Sequence, residues 1–317
     1  MISAFDMNTR DLTLSIKQKV LDIGFSFCGV SKVEALQNES DFLKYWLNNN
    51  FHAEMNYMAD NIDKRSNPAL LFDNAKSVIS VLLNYYPENQ IDKNKFQIAK
   101  YAFGKDYHFI IKSKLNEVID YIKSIDISVN ARSFCDSAPV MDKVWAQKAG
   151  LGWIGKNTCL IVPKAGSFFL IGEIILDIEL IYDKAADNKC GNCSRCLDAC
   201  PTKALTAPYL LDSRKCISYL TIEYKPEFDE NIDLHNHIFG CDICQDVCPW
   251  NIKFAKKHEI NELSINQKLL NFTNDDWQNL EKKEFKSIFK NTAFERTAYN
   301  RLMRNIKNAS TKNDIDS

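Results

Sequence analysis

The 317-residue sequence has no continuous run of about 18 apolar residues, the length that a membrane-spanning helix requires. Its first residues, MISAFDMNTRDLTLSIKQ, lack the charged start and apolar stretch of a signal peptide, and they contain no twin-arginine pair. The formal charge is -1, which excludes a surface coated in basic residues but allows a local basic patch. These absences predict a cytoplasmic protein with no membrane partner.

Three glycines in the segment AGLGWIGKN have the spacing of a dinucleotide-binding fingerprint, at Gly150, Gly152 and Gly155. That fingerprint works only when a strand enters the glycines and a helix leaves them. Here the preceding APVMDKVWAQKAG has apolar residues at helical spacing, and the following NTCLIVPKAGSFFLIGEIILDIELIYD is typical of strands. The order is reversed, so we expect no NAD or FAD and place Gly150 at the C-terminus of a helix.

Eleven cysteines are present, although disulfides are rare in the cytoplasm. Eight of them fall between positions 190 and 248. The run CGNCSRCLDACP has the spacing C-x2-C-x2-C-x3-C-P, and CDICQDVCP repeats it without the first cysteine, whose place Cys216 can take. In bacterial two-cluster ferredoxins such runs hold 4Fe-4S clusters, and the fourth cysteine of a run binds the other cluster.

This crossover rule divides the eight cysteines into two sets of four. The first predicted set is Cys190, Cys193, Cys196 and Cys248. The second predicted set is Cys200, Cys216, Cys241 and Cys244. Two structural zinc sites or a cluster of buried free cysteines are the alternatives, but zinc sites favour two C-x2-C pairs over this run. The spacing favours two neighbouring 4Fe-4S clusters.

Predicted helices and strands alternate before the cysteine runs, a pattern typical of helices packed over a sheet. We therefore expect an α/β (α+β) domain over 1–184, a bacterial-type two-cluster ferredoxin domain over 185–255 and a short helical tail over 256–317. A ferredoxin domain fused to a larger domain suggests that the larger one holds a second redox centre. The cobalt-binding motif D-x-H-x-x-G begins at Asp106 and Asp233 but lacks its glycine at both places.

Further segments resemble one enzyme family. In chain order they are HAEMNYM, DKRSNP, YAFGKDYH, CDSAPVMDKVWAQKAGLGWIGKN, GSFFLIGEI, CGNCSRCLDACPTKAL, RKCISYLTIE and GCDICQDVCPWN. They cover about residues 50–251, and together they resemble the epoxyqueuosine reductases, cobalamin-dependent iron–sulfur enzymes of the last step of queuosine synthesis on tRNA. Some members carry a C-terminal helical-repeat domain that this sequence does not contain.

The resemblance implies that the first domain binds cobalamin and reduces epoxyqueuosine to queuosine at the tRNA wobble position. Two 4Fe-4S clusters would pass electrons from an unidentified low-potential donor, and the protein would be a monomer. Asp136, in CDSAP, would be the proton donor, kept protonated by burial beside the cofactor. From the residues alone, Asp136 is instead a preferred helix N-cap before Ser-Ala-Pro.

The resemblance also implies contacts with cobalamin. Besides Asp136, the matching positions are Arg65, Leu160, Ile171, Ser218, Asp242 and Ile243. Without the resemblance, Arg65 is more often a solvated charge, Leu160 and Ile171 are core residues, and Asp242 caps a turn. The glycine segment would bring the backbone close to the flat corrin.

Residues 281–308 contain eight Lys or Arg against three Glu, and such an excess of positive charge is what tRNA binding requires. An ordinary solvated helix face is the alternative. We expect reversal of Arg301 and Arg304 to weaken tRNA binding. Two other functions suit the same cofactors: a corrinoid iron–sulfur reductive dehalogenase, which typically has a twin-arginine signal, and a ferredoxin-type electron-transfer protein without cobalt.

Overall fold

The main sheet has four antiparallel strands in a computed structural model that describes residues 8–229 and 231–313. In spatial order the strands are β1 (Phe27–Lys32), β2 (Ser77–Asn84), β7 (Phe169–Leu176) and β4 (Ala131–Phe134). The central strands β2 and β7 are buried along most of their length, as their apolar sequences predict for strands covered on both faces. Glu173 differs from the apolar residues around it in β7, because its side chain is ionisable and yet the residue is 0% exposed.

Helices cover both faces of this sheet. On one face, α1 (Thr9–Asp22) and α4 (Tyr107–Ile125) place apolar side chains such as Ile16 and Ile111 in the largest core. On the other face, α5 (Asp142–Lys148) packs Trp145 against the sheet. The predicted α/β (α+β) class of the first region is confirmed, with an antiparallel rather than parallel sheet.

The remaining elements are short. The other strands are β3 (Gln97–Ile98), β5 (Trp153–Ile154), β6 (Leu160–Ile161), β8 (Leu205–Ala207), β9 (Leu210–Leu211) and β10 (His237–Phe239). The other helices are α2 (Gln37–Asn48), α3 (Ile62–Ser66), α6 (Arg195–Ala199), α7 (Ile217–Ile222), α8 (Ile243–Asp246), α9 (Pro249–Phe254), α10 (Gln267–Asn271), α11 (Asn274–Gln278), α12 (Lys282–Ile288) and α13 (Tyr299–Asn313). Among the described residues, no helix is long and apolar enough to cross a membrane.

The C-terminal helices share a core with earlier parts of the chain. Trp277, Phe289 and Phe294 pack with Phe96 from the first region and Phe239 from the cysteine-rich region. The rings of Phe239 and Phe294 are stacked with centroids 4.1 Å apart. The tail is therefore fixed to both preceding regions. The boundaries at 184 and 255 stay predictions.

The helix before the glycine segment ends as predicted but begins later. Gly150, at φ 76°, follows α5, and the N–H groups of Gly150 and Leu151 donate to the carbonyls of Gln147 and Ala146. This is the Schellman arrangement that favours glycine. The predicted N-cap role of Asp136 is wrong, because α5 begins only at Asp142. Pro139 contributes to the delay, since a proline disfavours the helical conformation of the residue before it, here Ala138.

Candidate active site

A cavity of about 960 Å³ opens between α2, α3 and residues 136–144. Phe42, Trp46 and Met55 supply apolar wall, whereas Arg65 and Asp136 supply charge. Cofactor and substrate sites typically combine an apolar wall with a few placed polar groups, in volumes of roughly 300–1,000 Å³. This cavity is at the upper end of that range and suits a large ligand.

Asp136 lies on the wall of the cavity in a strained conformation. Its φ is 53°, in the left-handed region that non-glycine residues seldom occupy and that often marks a functional site. Its Oδ2 accepts a hydrogen bond of 2.6 Å from the Tyr107 hydroxyl and lies 3.3 Å from Nε2 of His108. Both partners come from the first turn of α4, so the helix start and the loop meet at one carboxylate oxygen.

His108 lies between two carboxylates. Its Nδ1 is 2.7 Å from Oδ1 of Asp106, the N-cap of α4, while its Nε2 faces Asp136. The hydrogen bonds of Asp106 and then of Asp136 raise the pKa of His108 to about 9. At neutral pH the imidazole is therefore charged and carries a proton on each nitrogen.

Asp136 is ionised in this arrangement. The hydrogen bond of His108 lowers the pKa of Asp136, and the hydrogen bond of Tyr107 adds to this, although burial opposes both. Burial by the protein alone therefore does not keep Asp136 protonated, and the expectation for burial beside bound cobalamin stays a prediction. The exchangeable protons lie on its two partners, because burial and the charge of Asp136 raise the pKa of Tyr107 and keep it a neutral phenol.

Arg65 and Arg296 bring positive charge to the same cavity. Nη2 of Arg65 donates to the carbonyl of Tyr57 at 3.3 Å, while its buried Nε has no hydrogen-bond partner among the described residues. Arg296 pairs with Glu223 at 2.5 Å, and its charge helps to lower the pKa of Asp136. Arg296 comes from the C-terminal tail, so the tail contributes to the cavity wall.

The other predicted cobalamin contacts do not line this cavity, and their role stays a prediction. These residues are Leu160, Ile171, Ser218, Asp242 and Ile243. Leu160 is a core residue of β6, and Ile171 packs beside it from β7. Asp242 is buried, accepts a 2.7 Å hydrogen bond from the Lys100 backbone and lies 3.6 Å from its Nζ. Of the predicted set, Arg65 and Asp136 line this cavity, whereas Leu160 and Ile171 meet in a core cluster.

The cysteines of the first set influence one another's titration. Burial, followed by the charges of Cys190 and Cys248, raises the pKa of Cys196 to about 11. Burial raises the pKa of Cys248 too, and Cys190 and Cys193 contribute. Cys248, from the second run, is thus near enough to the first three cysteines of the first run for their charges to interact, and their assignment to one cluster stays a prediction.

The second set is brought together in the same way. Burial raises the pKa of Cys241 to about 12, and the charges of Cys216 and Cys200 contribute. The charges of Cys241 and Cys216 also help to raise the pKa of Cys244. Cys159 lies beside this set and hydrogen bonds to Cys244, a neighbour that the sequence analysis left unassigned.

Hydrogen-bond donors approach the cysteine sulfurs. Nε1 of Trp153 is 3.4 Å from Sγ of Cys190, and the backbone N–H of Ala204 is 3.3 Å from Sγ of Cys200. Such donors to cluster thiolates tune the reduction potential of iron–sulfur clusters. Lys156 also serves this region, since its Nζ donates to the carbonyls of Gly191 and Cys193 at 2.7 and 2.9 Å.

The glycine segment approaches the protein's own backbone. A Cβ at Gly152 would lie 2.2 Å from the carbonyl oxygen of Ile161, and one at Gly150 would lie 2.6 Å from that of Lys184. Neither glycine lines the cavity. The expected close approach is present, and it brings the glycines against other parts of the chain's own backbone, while the expected contact with a corrin stays a prediction.

Two arginines of the basic segment donate hydrogen bonds to backbone carbonyls. Arg304 is 9% exposed and donates to the carbonyls of Leu220 and Tyr224. Arg301 donates to the carbonyl of Ile222 at 2.8 Å. The guanidinium group of Arg304 is thus used inside the fold, so the expected tRNA surface does not include it, whereas a tRNA contact of the half-exposed Arg301 stays a prediction. Among the described residues, the exposed cations of this segment are Lys282, Lys283, Lys286 and Lys290 on and beside α12, together with Arg296 and Lys307.

Several residues of the site escaped sequence analysis. Tyr107 and Arg296 were not singled out, because neither belongs to a motif with a chemical meaning of its own. Asp142 and Glu173 were missed as well. For Glu173 a signal existed, since an acid in the middle of the apolar strand FLIGEIIL is unusual enough to mark a functional or paired group.

Comparisons with known proteins agree with this arrangement. Residues 65–137 match the family described as "Epoxyqueuosine reductase QueG, DUF1730", and residues 189–251 match the "4Fe-4S double cluster binding domain". The predicted two-cluster ferredoxin region is thereby confirmed. Two solved structures are similar at 27% identity over 95% of this chain.

The first structure is an epoxyqueuosine reductase with an epoxyqueuosine-modified tRNA-Tyr stem loop, with a TM-score of 0.87 over 81% of that chain. The second is the Bacillus subtilis enzyme with its catalytic aspartate loop swung out of the active site, with a TM-score of 0.86 over 82% of that chain.

Sequence relatives extend the likeness along the chain. The epoxyqueuosine reductase of Escherichia coli is 38% identical over 253 residues, which cover 77% of this chain and 66% of that protein. That of Leadbetterella byssophila is 50% identical over 299 residues, covering 94% of this chain and 98% of its own length. Half of the positions are thus shared along almost the full length of both, and the chain belongs to the epoxyqueuosine reductase family of oxidoreductases.

Proposed function

We propose that this chain reduces epoxyqueuosine to queuosine in tRNA, with Asp136 delivering the proton. The observation that carries the proposal is the meeting of Asp136, Tyr107 and His108 at the wall of a large cavity. A catalytic aspartate loop is named in the Bacillus subtilis relative, and we assign residues 135–141 as its counterpart. The modified stem loop bound to another relative supports tRNA as the substrate.

The residues present suit the cofactors that such a reaction needs. Eight free cysteines in two groups of four match two 4Fe-4S clusters, and we assign Cys190, Cys193, Cys196 and Cys248 to one and Cys200, Cys216, Cys241 and Cys244 to the other. The cavity beside Asp136 suits cobalamin, because its apolar wall matches a corrin face and the unpartnered Nε of Arg65 matches a polar edge. Together the bound cofactors would supply two electrons.

The chain's own residues manage the protons. Conversion of an epoxide to an alkene takes two electrons and two protons, and the oxygen leaves as water. Protonation of that oxygen as the C–O bond breaks avoids a poor alkoxide leaving group. Asp136 passes a proton from charged His108 to the oxygen, and Asp106 holds the His108 ring in place through Nδ1. Tyr107 stays neutral and orients the carboxylate.

Partners follow from the reaction. We assign tRNA contact to the exposed lysines on and beside α12 and to Arg296 at the cavity wall, since phosphate contacts by Lys and Arg dominate nucleic-acid affinity. An unidentified low-potential donor would reduce the clusters. A tRNA substrate is consistent with a cytoplasmic protein, and the monomeric state is retained as a prediction.

The reaction is tested by anaerobic incubation of reconstituted protein with cobalamin, a low-potential reductant and tRNA carrying epoxyqueuosine. Nucleosides from digested tRNA are then analysed by mass spectrometry. The proposal predicts loss of one oxygen from the modified base, and only when cobalamin and reductant are both present. Unchanged epoxyqueuosine with fully reconstituted protein would contradict it.

A further inference from the structure

Glu173 is a buried acid that the proposed chemistry does not use. It lies in the central strand β7, is 0% exposed and pairs in register with Ser80 of β2 and Phe134 of β4. Neither of its carboxyl oxygens has a donor among the described residues. An isolated carboxylate in such a place is too costly to persist, so the group must be neutral or share a proton.

Its partner is Asp142, the first residue of α5. The two carboxyl groups hydrogen bond to each other, and two carboxylates cannot do so without a proton between them. Burial, strengthened by the charge of Asp142, raises the pKa of Glu173 well above its usual range. Burial raises the pKa of Asp142 as well. We place the proton on Glu173, which is the more deeply enclosed acid.

Asp142 connects this pair to the site. Its carboxyl group lines the cavity and accepts hydrogen bonds from the backbone N–H of Asp136 and from its own backbone. Asp136 has a φ of 53°, a conformation that a non-glycine residue keeps only when the surroundings hold it. The hydrogen bond to Asp142 fixes the peptide of Asp136 in this left-handed conformation.

The surroundings contain few other charges. Cys135 lies on the β4 side, and its pKa is raised by burial and by Glu173. Arg65, from α3, is close enough for Asp142 to favour its charged form. Asp136 adds negative charge that opposes ionisation of Glu173. None of these groups supplies Glu173 with a hydrogen-bond donor among the described residues.

We propose that the buried Asp142–Glu173 pair is a positioning device for Asp136, in which Glu173 donates a hydrogen bond to Asp142 and Asp142 accepts one from the Asp136 backbone. The inference rests on the proposed role of Asp136, but the pair itself can be detected without turnover. Neither acid touches the reacting atoms. Their effect is on where the Asp136 carboxylate lies.

The test compares two substitutions of the same side chain. Glu173→Gln keeps the shape and a permanent donor to Asp142, so we expect it to retain most of the turnover rate. Glu173→Leu removes the donor, and we expect kcat to fall about 10²-fold with KM for tRNA unchanged, as for a misplaced catalytic group. The matched control is Glu179→Gln, which changes the exposed acid just after β7. A merely structural role would not give rescue by Gln together with an unchanged KM.

Two measurements on protein without cobalamin or tRNA detect the hydrogen-bonded Asp142–Glu173 pair directly. Infrared spectra should show the C=O band of a protonated carboxylic acid at neutral pH, lost in Glu173→Gln and kept in Asp136→Asn. Hydrogen exchange in the peptide that spans residues 135–141 should be faster in Glu173→Leu than in wild type, because Asp142 is no longer held against the Asp136 amide. Glu173→Gln should exchange like wild type.

The outcomes separate this inference from the proposed function. Absence of the acid band in wild type, or wild-type exchange and turnover in a folded Glu173→Leu variant, would overturn the positioning pair. If Glu173→Leu does not fold, the acid band and its loss in Glu173→Gln decide alone. A protein that shows the band and the exchange pattern but leaves epoxyqueuosine unchanged would contradict the proposed function only.

Discussion

The cysteine-rich region and the cavity around Asp136 differ in how their functional residues are distributed along the sequence. The first takes seven of its eight predicted ligands from two short runs, with only Cys216 standing apart. The second draws its groups from α2, α3, the start of α4, the 136–144 segment and the tail. Local spacing therefore allows the electron-transfer residues to be predicted from the sequence. The residues that handle protons can be identified only in the folded structure, where distant segments meet.

The largest expected effect tests the assignment of the isolated cysteine. Cys216→Ser should lose one of two clusters, so iron should fall from about eight to about four atoms per chain. Cys159→Ser is the matched control, because Cys159 lies beside the same set but is not a predicted ligand. Iron analysis and electron paramagnetic resonance of the reduced proteins read the result. Loss of a cluster in Cys159→Ser, with both retained in Cys216→Ser, would reverse the assignment.

The proton chemistry gives a pH dependence of known sign. Because the pKa of His108 is raised to about 9, its proton is present at neutral pH and is lost as the pH rises through that value. Turnover should accordingly decline above about pH 9. His108→Gln should be slower by about 10²-fold at pH 7 and should lack this decline. Single-turnover rates across pH check both, and an unaltered profile in the variant would exclude His108 as the proton source.

Sequence and structure agree where the interactions are local. Gly150 ends α5, and the spacing within the cysteine runs predicts the double-cluster region, since each depends on a few neighbouring residues. They disagree at Asp136, which looked like an N-cap but occupies a strained loop because α5 starts late. Its protonation state also depends on His108 and Tyr107, which are distant in sequence. Arg304 shows the same limit of sequence-based prediction, because none of its sequence neighbours indicates that its guanidinium group binds carbonyls inside the fold.

The basic tail gives a moderate effect that sharpens the comparison. The double reversal Lys286→Glu/Lys290→Glu should weaken tRNA binding about tenfold at low salt and reduce the salt slope, since two phosphate contacts are lost. The control is Lys112→Glu/Lys123→Glu, which changes two exposed lysines of α4. Filter binding at several salt concentrations measures both. Equal weakening by the two pairs would indicate a non-specific charge effect.

The smallest expected effect is the loss of stability when the buried Arg304 is replaced. Arg304→Ala should lower the free energy of unfolding by about 1–3 kcal/mol, because buried carbonyls lose their donor. Lys307→Ala, an exposed change on the same helix, should be nearly neutral. Urea unfolding compares them. Unchanged stability combined with weakened tRNA binding in Arg304→Ala would restore the original expectation that Arg304 faces tRNA.

The central claim is that electrons arrive through the cysteines while Asp136 delivers the proton. Its most direct test is a single turnover of pre-reduced wild type and Asp136→Asn with tRNA carrying epoxyqueuosine, followed by nucleoside mass spectrometry. Iron content and cobalamin binding of the two proteins are matched beforehand. The account predicts loss of oxygen with wild type and a rate lower by about 10²–10⁴-fold in the variant. Conversion by Asp136→Asn at the wild-type rate would contradict it.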